Sequence, residues 1–222
     1  ISPDKKQILI MERSSLTSIE ELSQPELRLA GLRINPATNG RSRSSYYTGL
    51  VIQNIETGKK RKVKGLPRDG RISNITWSPN GKQIALSVTK GTQINLYVVN
   101  IKNGKGKLLL KSPLNAIWGA PFYWISNSEE LIVKTVIDNR GNPPQASRVP
   151  DAPVIQENLG KVAPARTYQD LLTNSYDEKL FEYYMSSQLV RVNMKGKTKK
   201  IGKSGLGIFF SRPKNVTEIS NF

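Results

Sequence analysis

Cysteine and histidine are both missing from this chain of 222 residues. Their absence excludes disulfides, thiolate zinc sites, cysteine nucleophiles and any histidine-based triad within these residues. Negative charge is scarce as well: 17 Asp and Glu stand against 34 Lys and Arg, a formal net charge of +17. That balance makes nucleic acid, an anionic surface or an acidic partner worth weighing, and says nothing about fold. No apolar run approaches the ~20 residues needed to cross a bilayer, and no signal peptide is visible, so no membrane partner is expected. Ile1-Ser2-Pro3-Asp4-Lys5 already lies inside a turn motif, so the chain is expected to be an excerpt whose leader would have gone with whatever preceded it. A hydrophobic content of 37% is that of a globular domain.

What the chain does contain is a repeat. Residues 71–110 read as four short strands, at 72–77, 83–89, 94–100 and 106–110, each closed by a turn signal. Ser78-Pro79-Asn80-Gly81 is the sharpest: Pro presets φ, Asn tolerates the left-handed region and Gly takes positive φ at no steric cost. Asn103-Gly104 is a second hairpin signal. Four antiparallel strands in about 40 residues are one blade of a β-propeller. The segment from Ile1 to Ile10 aligns with that from Trp77 to Leu86, and more loosely with Trp124 to Val133. The later half-motif, LYVVNIKNGKGKLL at 96–109, returns at 50–63 and 189–201. Unrelated hairpins of a β-sandwich would supply short strands but not two half-motifs in a fixed order. The fold class is therefore all-β: a partial β-propeller of about three four-stranded blades, with two long, partly helical insertions on one face.

The chain is read as a fragment of a single propeller domain: a blade at 1–66 with an insertion at 13–47, a blade at 67–112, a blade at 113–203 with an insertion at 138–187, and the start of a next blade at 204–222. In the third blade the inner strand is expected over 115–124, the second over 130–137 and the last two within 188–201; the next blade opens at 205–211. Both insertions fall between second and third strands, hence on one face, and loops of that length in a compact domain are functional or disordered. In the first, Thr17-Ser18-Ile19-Glu20-Glu21 is a capping-box pattern for a short helix, and 26–36 alternates as an extended segment with Leu27, Leu29 and Leu32 inward. The second is Pro-rich at its start and holds a further capping box, Ser175-Tyr176-Asp177-Glu178. It leads into a helix whose Leu180, Phe181, Tyr183 and Tyr184 suit packing on the propeller rim.

The basic residues cluster at the turn between third and fourth strands and on the outermost strand: Lys59, Lys60, Arg61, Lys62 and Lys64; Lys102, Lys105, Lys107 and Lys111; Lys195, Lys197, Lys199, Lys200 and Lys203. A phosphate footprint is one reading. Edge protection is the plainer one, because an exposed outer strand carrying Lys resists edge-to-edge pairing. Nucleic acid is disfavoured, since no stacking aromatics are interleaved. Glu20-Glu21 and Asp177-Glu178 suit helix N-termini, Glu129-Glu130 a turn, and Glu157 a surface loop. Gly202-Lys203-Ser204-Gly205 lacks the upstream glycine of a phosphate loop. No metal or cofactor is expected. In the insertions, Arg28, Arg33, Arg41, Arg43 and Arg166 share a face with Tyr46, Tyr47 and Tyr168, the composition of a recognition surface. Loop solubility with Tyr packed on the rim explains the same residues without a ligand.

At these insertions the sequence resembles a known family. The segments PELRLAGLRI at 25–34, SRSSYYTGL at 42–50, IQENLG at 155–160 and APARTYQDLL at 163–172 are similar to the N-terminal propeller of the glutamyl endopeptidase-like branch of the prolyl oligopeptidase family of serine peptidases. The likeness covers nearly the whole chain and departs from the pattern after about residue 210, where Arg212-Pro213-Lys214-Asn215 replaces the usual turn. It implies a propeller that gates and helps bind peptide substrates for an α/β-hydrolase domain carrying Ser, Asp and His. That domain is expected to lie outside this chain, which then holds no catalytic residue. Arg28, Arg33, Tyr46, Tyr47, Arg166 and Tyr168 become the expected substrate-binding or interdomain residues, and a periplasmic or secreted location is implied. The alternative is a propeller that binds a protein or an anionic ligand on its own, which would need a ring that these blades cannot close without oligomerising.

Overall fold

The computed structural model describes residues 1–13, 19–146 and 170–206. The elements run in the order β1 (Gln7–Glu12), α1 (Ile19–Leu22), β2 (Leu27–Leu29), β3 (Leu32–Asn35), β4 (Gly40–Arg41), β5 (Gly49–Asn54), β6 (Lys60–Lys62), β7 (Arg71–Trp77), β8 (Gln83–Lys90), β9 (Gln93–Asn100), β10 (Lys105–Leu110), β11 (Phe122–Trp124), β12 (Glu130–Thr135), α2 (Ser175–Met185), β13 (Ser187–Asn193) and β14 (Thr198–Gly205). They form antiparallel sheets ordered β1-β5-β6, β7-β8-β9-β10 and β11-β12-β13-β14, with a small extra sheet β2-β3-β4. This is the partial propeller with two insertions that the repeat predicts. The insertions leave the sheets between β1 and β5 and between β12 and β13, whereas β8 and β9 are joined at the same place by a two-residue turn inside the Lys90 to Gln93 pair.

Sequence similarity becomes identity of hydrogen bonding at the turns. The amides of Ser2, Ser78 and Ile125 donate to the carbonyls of Gln7, Gln83 and Glu130, each at 2.9 Å. The amides of Lys6, Lys82 and Glu129 donate to the side-chain oxygens of Asp4, Asn80 and Asn127 at 3.1, 3.0 and 2.9 Å. Short polar side chains folded back on their own turn are what hold it without a helix or sheet partner. The second turn repeats in the same way: the side-chain oxygens of Asn54, Asn100 and Asn193 accept from the amides of Thr57, Asn103 and Lys195.

The middle blade shows how period-two alternation builds the interior. In β8, Ile84, Leu86 and Val88 join Leu50, Ile52 and Val63 of the first blade, while Ala85 faces the other way. In β9, Ile94, Leu96 and Val98 join Leu131, Val133 and Val192 of the third blade, and Val99 turns back toward the first. Each blade therefore completes its core with its neighbour's.

The outer strands add a polar stitch. Arg61 Nη1 of β6 donates to the carbonyls of Ile101 and Lys102 at 3.0 and 2.7 Å, and Lys107 Nζ of β10 donates to that of Met194 at 2.8 Å. Arg61 and Lys107 hold the same place in the repeat, and Ile101 and Met194 each follow the turn asparagine of the next blade. Gly104 makes room for the first stitch, because a Cβ there would meet Arg61 Cδ at 2.8 Å.

Three details differ from the sequence reading. The inner strand of the third blade is confined to Phe122–Trp124: Gly119 at φ +62 breaks the extended run, and Pro121 has no N–H to give a ladder. Strand β14 continues to Gly205, paired with Ser187, past the expected blade limit, and residues 207–222 lie outside the described residues. The segment 26–36 is a hairpin, β2 with β3, reversed at Ala30 and Gly31 with φ of 50 and 73; alanine rarely takes that region, so no turn signal announces it.

One charge is buried among these strands. Lys134 in β12 is 6% exposed and donates from Nζ to the Trp118 carbonyl. Burial pulls its ammonium from the ordinary 10.5 down to about 8. The unfolded chain therefore holds this proton to higher pH than the folded one, so its burial cost is in full force below pH 8 and is relieved as pH rises toward 10.5. Urea titrations of the intact protein should find Lys134→Met more stable than wild type below pH 8, with the gap narrowing above it; a pH-independent gap would refute the assignment. Removing either stitch, Arg61→Ala or Lys107→Ala, should cost about 1 kcal/mol in the same assay, and no loss in either would show that the repeated contact carries no stability.

Candidate functional site

The two insertions, far apart in sequence, fold onto each other. Leu29 and Leu32 of the β2–β3 hairpin and Ile34 of β3 pack with Ile117, and with Leu180 and Tyr184 of α2. Helix α2 thus sits on the first insertion rather than on the rim alone. Its cap is Asn174, whose side chain accepts from the Asp177 amide, one residue before the expected box; Asp177 in turn accepts from the Thr173 hydroxyl at 2.8 Å.

The C-terminal end of α2 is the hub of this layer. Asn115 Nδ2 donates to the carbonyls of Tyr184 and Ser186 at 2.9 and 3.0 Å. Arg140 Nη1 donates to Asn39 Oδ1 at 2.7 Å and to the Tyr183 carbonyl at 3.2 Å. Its guanidinium also lies 4.1 Å from the centre of the Tyr183 ring. A cation at a helix C-terminus meets the negative end of the macrodipole and satisfies carbonyls that the helix leaves open. Arg140 and Asn115 carry no signature of this role in the sequence, because their partners are backbone carbonyls of a distant segment.

Arg28 and Arg33 face each other across β2 and β3. Both reach Glu26, at 3.3 and 3.0 Å, and Arg43 adds a third guanidinium at 3.5 Å. The Glu26 side chain is 7% exposed whereas those of Arg28 and Arg33 are 55% and 44% exposed. A hydrogen bond from Ser42, followed by the charge of Arg43 and the bonds of Arg28 and Arg33, holds the Glu26 carboxyl below its ordinary range against the pull of desolvation. Three cations about one carboxylate leave the hairpin surface positive.

Beside that cluster the end of the first insertion passes over the middle blade and leaves a cavity of about 440 Å³. Its cations are Arg41, Arg43, Arg71 and Lys90, its acids Glu21 and Asp69. Hydroxyls of Ser42, Ser44, Ser45, Ser73 and Thr89 fill the walls between them. An adjoining cavity of about 370 Å³ shares Arg41 and Ile94 and extends the trough to Asn74 and Gly119. Gly40 permits the close passage, since a Cβ would meet Ile94 Cδ1 at 2.5 Å. Arg41 is oriented by its Nε bond to the Ile117 carbonyl at 3.2 Å. Arg71 lies 3.8 Å from Glu21 and 5.2 Å from the centre of the Tyr46 ring.

Of the residues singled out from sequence, Arg41, Arg43 and Tyr46 line this trough. Tyr47 pairs with Ile72 and packs into the core between first and middle blades. Arg28 and Arg33 meet the trough only through Glu26 and Arg43. Arg166 and Tyr168 lie outside the described residues. Arg71 and Lys90 were not candidates, although Lys90 stands at the bare β8–β9 connection on the face where the neighbouring blades carry insertions. That shared position was the available signal.

No family model matches the chain. Over 216 residues it is 40% identical to a protein of Oryza sativa subsp. japonica named probable glutamyl endopeptidase, chloroplastic, and over 214 residues 38% identical to one of the same name from Arabidopsis thaliana. Each match takes in 90% of the chain, which spans only 23% and 22% of the two relatives. Among solved structures, an acylaminoacyl peptidase of Pyrococcus horikoshii aligns with 80% of the chain and 23% of its own length, at 16% identity and a TM-score of 0.41. TolB from Acinetobacter baumannii aligns with 76% and 29%, at 11% identity and a TM-score of 0.36. The fold assignment rests on the chain's own sheets. No helix among the described residues is long and apolar enough to cross a membrane. Across nine-tenths of its length, then, the chain is a partial propeller whose sequence is similar to two plant proteins named probable glutamyl endopeptidase.

Proposed function

We propose that this chain is the non-catalytic propeller region of a serine peptidase, gating and helping to bind peptides for an α/β-hydrolase domain encoded elsewhere in the same protein. The observation that carries the reading is the 40% identity to a protein named for glutamyl endopeptidase activity, of which the chain spans 23%. A propeller beside a hydrolase domain restricts entry to chains that can pass it, so the substrate class is peptides and flexible segments. The insertion layer is the surface that meets them or meets the hydrolase domain. Arg28 and Arg33 stand half-exposed on it, Tyr46 and Tyr47 connect it to the blades, and Arg166 and Tyr168, outside the described residues, are proposed for the same role from the sequence alone. A periplasmic or secreted location is part of the proposal; the plant relatives are named chloroplastic.

The full-length protein should hydrolyse short Glu-containing peptides and leave the same sequence uncut inside a folded globular protein. Arg28→Gln and Arg33→Gln should each raise KM for such peptides by about fivefold, the worth of a partly exposed charge contact, with kcat retained. Cleavage of the folded protein at a comparable rate would refute the gate, and an unchanged KM in both variants would remove these arginines from substrate binding.

A further inference from the structure

We propose that the basic trough between the first insertion and the middle blade is a binding site for acidic stretches of peptide, holding two or more side-chain carboxylates at once. It rests on the peptidase reading above and names the substrate chemistry of the insertion face.

The argument begins with charge. Four cationic side chains line the cavity wall with two carboxylates. The acids fix the cations more than they cancel them. Of the trough's guanidinium groups, that of Arg71 is held by Glu21 at 3.8 Å, and that of Arg43 by Glu26, which it shares with Arg28 and Arg33, at 3.5 Å. Each guanidinium has five N–H donors in a planar fork, so a single ion pair leaves donors for a second carboxylate. Arg41 spends Nε on the Ile117 carbonyl, which keeps its outer edge available. Among the described residues no carboxylate lies within ion-pair distance of Arg41 or Lys90.

Shape and wall chemistry then select the ligand. Two adjoining cavities of about 440 and 370 Å³ share Arg41 and Ile94, so the space is a trough that suits an extended chain rather than a pit that suits one ion. Serine and threonine hydroxyls both donate and accept, matching a peptide backbone as well as carboxylates. Glu21 and Asp69 on the wall oppose a compact phosphate dianion but accept from peptide N–H groups. No histidine exists in the chain to activate the trough's serines, so the site binds and does not cut. Its effect on a peptidase is to favour substrates bearing acidic residues away from the bond that is cleaved.

The test uses the full-length protein and calorimetric titration with a hexaglutamate peptide of D-residues, which resists hydrolysis. The hexaglutamate should bind and its hexaglutamine counterpart should not. The double variant Arg41→Ala, Lys90→Ala should weaken binding by about tenfold or more, since charge-assisted hydrogen bonds are lost. Lys203→Ala, on the outer strand, removes one charge and should leave binding unchanged. Equal binding by the double variant and wild type would overturn the proposal, as would equal binding of the glutamine peptide. Displacement of the hexaglutamate by inorganic phosphate or a phosphoserine peptide at lower concentration would overturn the carboxylate assignment. Hexaglutamate binding in a protein that hydrolyses no peptide would refute the peptidase reading and support the site. Peptide hydrolysis without hexaglutamate binding would do the reverse.

Discussion

A twisted four-stranded sheet has two faces, and in this chain both faces of the middle blade are apolar. That constraint sets the architecture. Ile84, Leu86 and Val88 on one side, and Leu96 and Val98 on the other, are all 3% exposed or less, which no isolated sheet could achieve. At about 25 cal/mol per Å² of apolar surface, leaving either face open would cost more than the margin by which domains are stable. Adding blades side by side is the solution that covers both faces, and each new blade presents the same unmet need. The turns and outer stitches serve this stacking: the Asn80 amide reaches the Ser128 hydroxyl of the next blade at 3.0 Å, and Trp124 Nε1 donates to the Thr76 carbonyl of the blade before at 3.3 Å.

Because the sheets close on their neighbours laterally, the ends of the strands are where sequence is free to grow. The first and third blades grow there and the middle one does not, which leaves a gap that the insertions span. They bury a third core of their own, with Ile34 and Ile117 fully covered. The Asn39, Arg140 and Asn115 hub then ties one insertion to the other through the carbonyls at the end of α2. Among the described residues the layer is held together by the means that hold the blades, apolar side chains packed on one another, with side-chain donors to the carbonyls at the end of α2.

Much of this was legible in the sequence where the determining interaction is local. The repeated Ser/Asn turns bond within themselves, so their spacing reports the strands, and the second-to-third-strand position of both insertions follows by counting. What was hidden depends on tertiary packing, or on backbone breaks that the local residue pattern does not announce. The Ala30-Gly31 reversal lacks a turn residue at its first position, and the confinement of β11 to three residues comes from Gly119 and Pro121 acting on a stretch otherwise apolar enough for a strand. At the site, Tyr46 was legible as an Arg-flanked aromatic, but the role of Arg43 as the bridge between Glu26 and the trough was not, because Glu26 looks like any surface acid until three guanidinium groups close on it. Tyr47, adjacent in sequence to Tyr46, takes the opposite fate in the core, as alternation along an extended segment requires.

The excess of positive charge is thus distributed among distinct tasks. On the outer strands Arg61 and Lys107 are consumed by carbonyls of the following blade, while exposed neighbours such as Lys60 and Lys62 protect the edge. On the insertion hairpin three arginines are gathered by one carboxylate. In the trough, four cations from separate elements, the insertion end, β7 and the β8 terminus, converge on one cavity that holds two acids. Convergence of that kind carries a standing electrostatic cost, since like charges brought together repel even at the high effective dielectric of a partly open site. A surface that needed only solubility would relieve the cost by rotating long side chains apart, but Arg41 is pinned by the Ile117 carbonyl and Arg71 is held against Glu21 and the Tyr46 ring. The fold holds these charges together, and an anionic ligand is what offsets the repulsion.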